Sequence, residues 1–269
     1  MSLQAEIIRL LGVKPSIDAD EEIRRRVDFL KEHVQSSRAS GLLIAISGGL
    51  DSAAVAGLCK RATDELAQET GSDYITLGVF QPYGDQEDIG HSYETAKALG
   101  LIHTVETNIE DTVDEIALEV EHGMKNIGQY RHLSIPGKGN VQARTRMIMQ
   151  YALASELNLL VAGTGHASES ITGFFTKWGD GAADIMPLSS LNKRQIRQIA
   201  AALAVPDSVL NKAPSAGLWA GQKDEQELGI SYEDISDYLE GKQVEPAVQK
   251  RLESYYTKTK PKRSPIPGI

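Results

Sequence analysis

Ser47-Gly48-Gly49-Leu50-Asp51-Ser52 is the stretch of this chain with the most chemistry in it. It follows a short apolar run, 42–46, and opens a helix-like stretch over 51–68. At a strand-to-helix junction the first backbone N–H groups have no helical partner, and the helix dipole is positive there. Two glycines let an anion approach the backbone, and Ser47 and Ser52 add hydroxyl donors. The segment therefore reads as a cradle for a phosphate or pyrophosphate; the structural alternative is a tight turn with a serine cap. Asp51 fits beside phosphate only if a cation bridges the two, which points to Mg²⁺. The Gly-Lys-Ser/Thr of a Walker A loop is absent, and Gly137/Gly139, Gly163/Gly165 and Gly179/Gly181 each lack the third glycine of a dinucleotide fingerprint.

Other residues bear on the same chemistry. Glu169 follows a second apolar run, 159–162, and so falls on the same sheet edge as Asp51, where parallel sheets bind ligands. Lys193 opens a helix, where a cation is unfavourable without a counter-anion; a bound phosphate would supply one. Arg144 has the planar donor fork suited to phosphate or carboxylate. Phe174, Phe175 and Trp178 form an aromatic cluster in a glycine-rich loop, fit either for stacking on a ring or for core packing. Cys59 reads as a small buried residue and not as a nucleophile. The six histidines share no metal-ligand spacing, so no zinc site is expected, and the role of His166 stays open.

The elements that must position these residues alternate between two periods. Helices are expected over 20–36, capped by Asp18 or Asp20, and over 51–68, 86–99, 109–122, 141–156 and 193–204. Strands are expected over 42–46, 74–80, 102–107 and 159–162, with a short fifth over 186–188. The apolar residues of 141–156 imply burial on more than one side. Pro136, Gly137 and Gly139 mark 131–140 as a loop, and two glycine-rich loops, 164–184 and 213–227 (the second with Trp219), are long enough to be functional and to close on a ligand. The basic tail from Lys258 is read as a frayed terminus. Strands alternating with helices imply an α/β fold with a doubly wound parallel sheet flanked by helices.

The whole chain bounds the partners. Its 269 residues fit one large α/β domain. With 28 basic and 37 acidic residues the net charge is −9, which argues against a nucleic-acid partner. No apolar run is long enough for a membrane span, and no secretory leader is seen, so no membrane partner is expected. A single cysteine fits a reducing compartment, and the cytoplasmic reading follows from that.

Ser-Gly-Gly-x-Asp-Ser after the first strand resembles the pyrophosphate loop of the N-type ATP pyrophosphatases. Further segments narrow the resemblance: Lys138 to Met147, Gly163 to Glu169, Thr172 to Gly181 with Asp184, Leu191 to Gln195, Glu227 to Tyr232 and Asp237 to Gly241. Together, from about residue 5 to 263, the chain is similar to the ammonia-dependent NAD⁺ synthetases. That resemblance implies an adenine nucleotide alpha hydrolase-like fold spanning 1–269 as a single domain, with no glutaminase domain. It implies a ligase that amidates deamido-NAD to NAD⁺ with ammonia and ATP, through an adenylylated nicotinate carboxylate, releasing AMP and pyrophosphate. By the same resemblance Asp51 and Glu169 are the Mg²⁺ residues and, with Lys193, the catalytic ones. ATP would be met by Ile46, Ser47, Gly48, Gly49, Leu50, Asp51, Ser52, Thr164, Lys193 and Ser215. Deamido-NAD would be met by Arg144, Lys177, Asp184 and Lys262. A homodimer is implied, and a separate ammonia-supplying glutaminase is compatible with it. Pro261, Gly165 and Ser215 depart from commoner family residues. The competing readings are a tRNA-modifying ATP pyrophosphatase, which would want a basic face or reactive cysteines, and a non-catalytic adenine-nucleotide sensor.

Overall fold

An apolar run without polar alternation is stable as a strand where both of its faces are covered. Leu42, Leu43 and Ile44 meet that condition: all three are buried in β1 (Gly41–Ala45) of the computed structural model, which describes residues 2–86, 88–215, 217 and 222–268. Ahead of β1 lie α1 (Leu3–Leu11) and α2 (Ala19–Ser37), the latter capped by Asp18, whose carboxylate accepts from the Glu21 N–H at 2.9 Å. After it come α3 (Leu50–Thr70), β2 (Ile75–Phe80), α4 (Ile89–Ala98), β3 (His103–Glu106), α5 (Glu110–Asn126), α6 (Ile135–Leu157) and β4 (Leu159–Val161). The described remainder is helical: α7 (Ala167–Thr172), α8 (Lys193–Ala202), α9 (Asp207–Leu210), α10 (Asp224–Leu228), α11 (Tyr232–Leu239), α12 (Pro246–Lys258) and α13 (Lys260–Arg263).

The four strands are parallel, in the order β3-β2-β1-β4, with Gly41 opposite Ile75 on one side and Leu159 on the other. The chain steps outward from β1 to β2 to β3 and then returns on the far side of β1 as β4. The loops that leave the carboxyl ends of β1 and β4 therefore diverge and open a crevice, the place where open α/β sheets take ligands. Both faces of the sheet are covered. Leu42 and Ile44 enter the larger core with α2, α3 and α8; Leu43, Leu77, Val79 and Val161 enter a smaller one under α6. A separate cluster, with Ile7, Ile171, Tyr232, Ile235, Tyr238 and Leu252, joins α1, α7, α11 and α12.

The doubly wound α/β architecture agrees with the sequence reading, and four differences are instructive. The expected fifth strand is reduced to a single bridge between Ala162 and Ile185, because Pro187 breaks the ladder two residues further on. The expected loop over 131–140 is helical from Ile135: Ser134 caps α6 by accepting from the Gly137 N–H at 3.1 Å, and Pro136 sits in the first turn, where its missing N–H costs nothing. The same helix is not buried on more than one side, since Ile148 and Leu157 are exposed. The tail is not frayed but docked. Lys262 Nζ donates to the Gly173 and Phe175 carbonyls at 2.7 and 2.6 Å, and Arg263 Nη1 donates to the Ser170 carbonyl at 2.8 Å. No described helix is long and apolar enough to cross a membrane.

Candidate active site

Ile46 extends β1 by donating its N–H to the Val79 carbonyl at 2.9 Å, and the glycine loop begins there. Ser52 ties the loop shut: its Oγ accepts from the Ser47 N–H at 3.2 Å, donates to the Gly49 carbonyl at 3.0 Å, and lies 3.1 Å from Ser47 Oγ. Leu50 and Asp51 open α3, and Gly49 caps it with no side chain on the first N–H groups. Gly48 turns the chain at φ +75°, where a Cβ would lie 3.1 Å from His91 Cβ and from Ser92 Oγ. From outside, Lys212 Nζ donates to the Gly48 carbonyl at 3.2 Å and pairs with Asp88. Glycine is thus required at 48 by both conformation and space. Gly48→Ala is expected to raise the KM for ATP roughly tenfold, an effect of about 1.4 kcal/mol on a loop forced into a left-handed conformation. Steady-state kinetics at saturating second substrate would show it; an unchanged KM would mean the loop does not touch ATP.

Three elements meet at the mouth of the crevice. Asp51 comes from α3, His166 and Glu169 from the start of α7 after β4, and Lys193 from the first turn of α8. Lys193 Nζ lies 2.6 Å from Asp51 Oδ2 and 5.1 Å from the centroid of the Tyr232 ring, whose hydroxyl donates to Asp224 at 3.2 Å. His166, fully buried, places Nε2 3.7 Å from Asp51 Oδ1 and 3.6 Å from Glu169 Oε1. The counter-anion that a cation at the head of α8 needs is therefore supplied within the protein by Asp51, and not only by a bound phosphate.

The environment splits the two carboxyls. Burial works to raise Asp51, but the Lys193 ammonium foremost, together with His166 and a backbone N–H, outweighs it and leaves Asp51 below the ordinary carboxylate range. Burial, and then the Asp51 carboxylate, hold Glu169 well above that range. Burial also pushes the His166 imidazole down to about 4, so its ring is neutral near pH 7. One donor atom from each of Asp51, His166 and Glu169 falls within 4.8 Å of the others. Asp51 Oδ1 is buried and accepts no hydrogen bond among the described residues, so a lone pair is left for a cation. Two carboxylates with free oxygens suit a hard divalent ion that fills its other positions with phosphate oxygens and water, and this donor set fits Mg²⁺. Thr164, half-buried, lies on the strand-to-helix loop between β4 and His166.

The residues assigned to the second substrate gather in part. Arg144 Nη2 donates to the Lys177 carbonyl at 3.3 Å, Lys177 Nζ to the Pro261 carbonyl at 2.8 Å, and Lys262 grips the 173–175 backbone. All three cations thus surround one glycine-rich loop. Asp184 stands apart from them: its carboxylate accepts from the Val161 N–H at 2.8 Å and the Tyr151 hydroxyl at 3.3 Å. Ser215 is exposed and accepts from the Gly217 N–H at 3.1 Å, while Trp219 lies outside the described residues. The three aromatics of the loop do not stack among themselves. Phe174 packs on the cluster around α7, Phe175 lies under Lys262, and Trp178 is exposed beside Lys177. From sequence the role of His166 was left open and Tyr232, Asp224 and Lys212 were given none; His166 and Tyr232 do lie in segments that carry the resemblance, Gly163 to Glu169 and Glu227 to Tyr232.

A switch-point crevice on a parallel sheet, a serine-glycine loop at the head of α3 and a buried acid pair faced by a lysine define an enzyme of the adenine nucleotide alpha hydrolase-like fold. A model of the NAD synthase family matches residues 22–266, and the chain belongs to that family, whose members are ligases that form a C–N bond. It is 46% identical over 272 residues to an NH(3)-dependent NAD(+) synthetase from Streptococcus mutans, covering 98% of this chain and 96% of the relative. Among solved structures it resembles an NMN synthetase from Francisella tularensis, with TM-score 0.83, 33% identity, and 94% of this chain and 99% of that one covered. It also resembles an NAD⁺ synthetase from Burkholderia pseudomallei, with TM-score 0.83, 32% identity, and 97% and 95% covered.

Proposed function

We propose that this protein makes NAD⁺ from deamido-NAD, ATP and ammonia. The nicotinate carboxylate attacks the α-phosphorus of ATP, forming an acyl-adenylate and expelling pyrophosphate. Ammonia then attacks the activated carbonyl, and AMP leaves as the amide forms. The observation that carries this reading is the meeting of Asp51, Glu169 and Lys193, from three separate elements, beside the Ser47–Ser52 loop. Mg²⁺, held by Asp51 and Glu169, would supply charge neutralisation on the phosphates. The loop N–H groups orient the phosphates, and Lys193 offsets the negative charge that builds on them, so the protein works by positioning and electrostatics.

Ammonia is the nitrogen donor in this reading, taken free or from a partner glutaminase. The exposed Leu118, Ile148 and Leu157 of α5 and α6 support a homodimer, and the single, buried Cys59 supports a cytoplasmic setting. A second reading, favoured by the likeness to the Francisella NMN synthetase, is that the acceptor is the nicotinate mononucleotide.

An assay with ATP, Mg²⁺ and ammonium, offering deamido-NAD and nicotinate mononucleotide in parallel, tests both. Faster amidation of deamido-NAD with stoichiometric AMP is expected. Preference for the mononucleotide would establish the second reading, and ADP in place of AMP would sink the adenylate mechanism. Lys262→Ala is expected to raise the KM for the acceptor roughly tenfold while leaving the KM for ATP unchanged, because one phosphate or carboxylate contact is lost. A parallel rise in both would assign Lys262 to the fold alone.

A further inference from the structure

We propose that His166 is a positioning residue of the metal site: as the Nε2–H tautomer it donates toward Asp51 and Glu169 and holds the two carboxylates at chelating separation, without itself coordinating the cation. This rests on the proposed function, in which those carboxylates hold Mg²⁺.

The ring is fully buried at the N-cap of α7, the short helix that carries Glu169. Its Nδ1 accepts from the Glu169 backbone N–H at 3.4 Å. A nitrogen that accepts carries no proton, so the ring is the neutral tautomer with its proton on Nε2. That N–H faces Asp51 Oδ1 at 3.7 Å and Glu169 Oε1 at 3.6 Å. Nε2 and Asp51 Oδ1 are both buried polar atoms without a hydrogen-bond partner among the described residues, and they lie 3.7 Å from each other. Other charged and titratable groups around the three residues are Lys193, which pairs with Asp51 Oδ2, Tyr232, whose ring centroid is 6.5 Å from that of His166, and Asp180 and Asp224, whose charges act on Glu169.

Coordination by His166 would need the Nε2 lone pair. The proton would move to Nδ1, and the cap on α7 would become a donor facing a donor. Mg²⁺ also prefers oxygen to imidazole nitrogen. One ring thus does two jobs: one edge caps the helix that presents Glu169, and the other steadies the Glu169 carboxylate against that of Asp51.

Two amides separate these jobs. Asn at 166 keeps an acceptor at the Nδ1 position, and so the cap, but has no donor at the ε position. Gln reaches the ε position with an N–H but caps poorly. The readout is Mn²⁺ affinity by electron paramagnetic resonance, with ATP present, on the full-length protein. His166→Gln is expected to bind within about threefold of the parent and His166→Asn at least about tenfold more weakly, the range typical of groups that orient metal ligands. The reverse order, or equal affinities, would overturn the proposal and leave His166 as a cap only. Should either variant fail to fold, ¹⁵N spectra of the parent decide: Nε2 is expected to stay protonated when Mg²⁺ and ATP are added, and loss of that proton would make His166 a ligand. Asp51→Asn is the control. If it leaves Mn²⁺ binding intact, the metal-site reading itself is wrong and the proposal falls with it.

Discussion

Glu169→Gln is expected to give a protein that unfolds at a higher temperature without metal and turns over roughly 10²–10³-fold more slowly with it. The gain and the loss have one origin. In the metal-free fold Glu169 is held above the ordinary carboxyl value of 4.5 by burial and then by Asp51. A carboxyl of this kind binds its proton more tightly folded than unfolded, so native stability falls as pH rises from the unfolded value through the folded one. Above that window the fold carries the cost of a second buried anion beside Asp51. Gln removes the charge and keeps the shape, so the cost disappears; it also removes one of the two carboxylates offered to Mg²⁺. Thermal unfolding in chelator at pH 5 and pH 8, beside NAD⁺ formation in saturating Mg²⁺, measures both. The stabilisation should be larger at pH 8. A variant with parental turnover would remove Glu169 from the chemistry, and one destabilised at pH 8 would mean the charge is already neutralised by a group other than the metal.

What was legible in the sequence was local. The Ser47–Ser52 loop, the four main strands and the placement of Asp51 and Glu169 on one sheet edge depend on neighbours in the chain, and periodicity plus glycine placement carry that information. The helical start at Ile135 was lost because Pro136 was read with Gly137 and Gly139 as a breaker, whereas after the Ser134 cap it sits in the first turn of a helix. Other features depend on distance along the chain. Lys193 is 142 residues from Asp51, so the ion pair that satisfies the head of α8 is not visible as a spacing. His166 is buried with its ring 6.5 Å from that of Tyr232 in α11, a helix whose periodicity says nothing about where it docks. The tail misled for the same reason: its cations look like a solvated terminus until the carbonyls of Ser170, Gly173 and Phe175 are brought to them.

Lys193→Met is expected to lower kcat/KM for ATP roughly 10²–10³-fold and, in the absence of ATP, to tighten Mn²⁺ binding. The first effect follows from removing the cation that α8 brings against the acid pair at the crevice. The second follows from what Lys193 does when no phosphate is present. Lys193 is a buried residue whose ammonium sits 2.6 Å from Asp51 Oδ2 and neutralises the carboxylate whose free Oδ1 a divalent ion would use. Lysine and metal therefore compete for Asp51 in the free protein. On the proposed function, ATP would give the ammonium phosphate oxygens to move to and so return the full charge of the carboxylate to the cation. Metal and nucleotide binding would then reinforce each other, with Lys193 as the group that changes partners. Met keeps the packing against Tyr232 but has no charge, so both carboxylates stay open to Mn²⁺ and the dependence of metal affinity on ATP should shrink. Calorimetric Mn²⁺ titrations of the two proteins, with and without a non-hydrolysable ATP analogue, measure that coupling directly. If the analogue strengthens Mn²⁺ binding equally in both, Lys193 is no more than a phosphate contact, and the partner exchange at Asp51 does not occur.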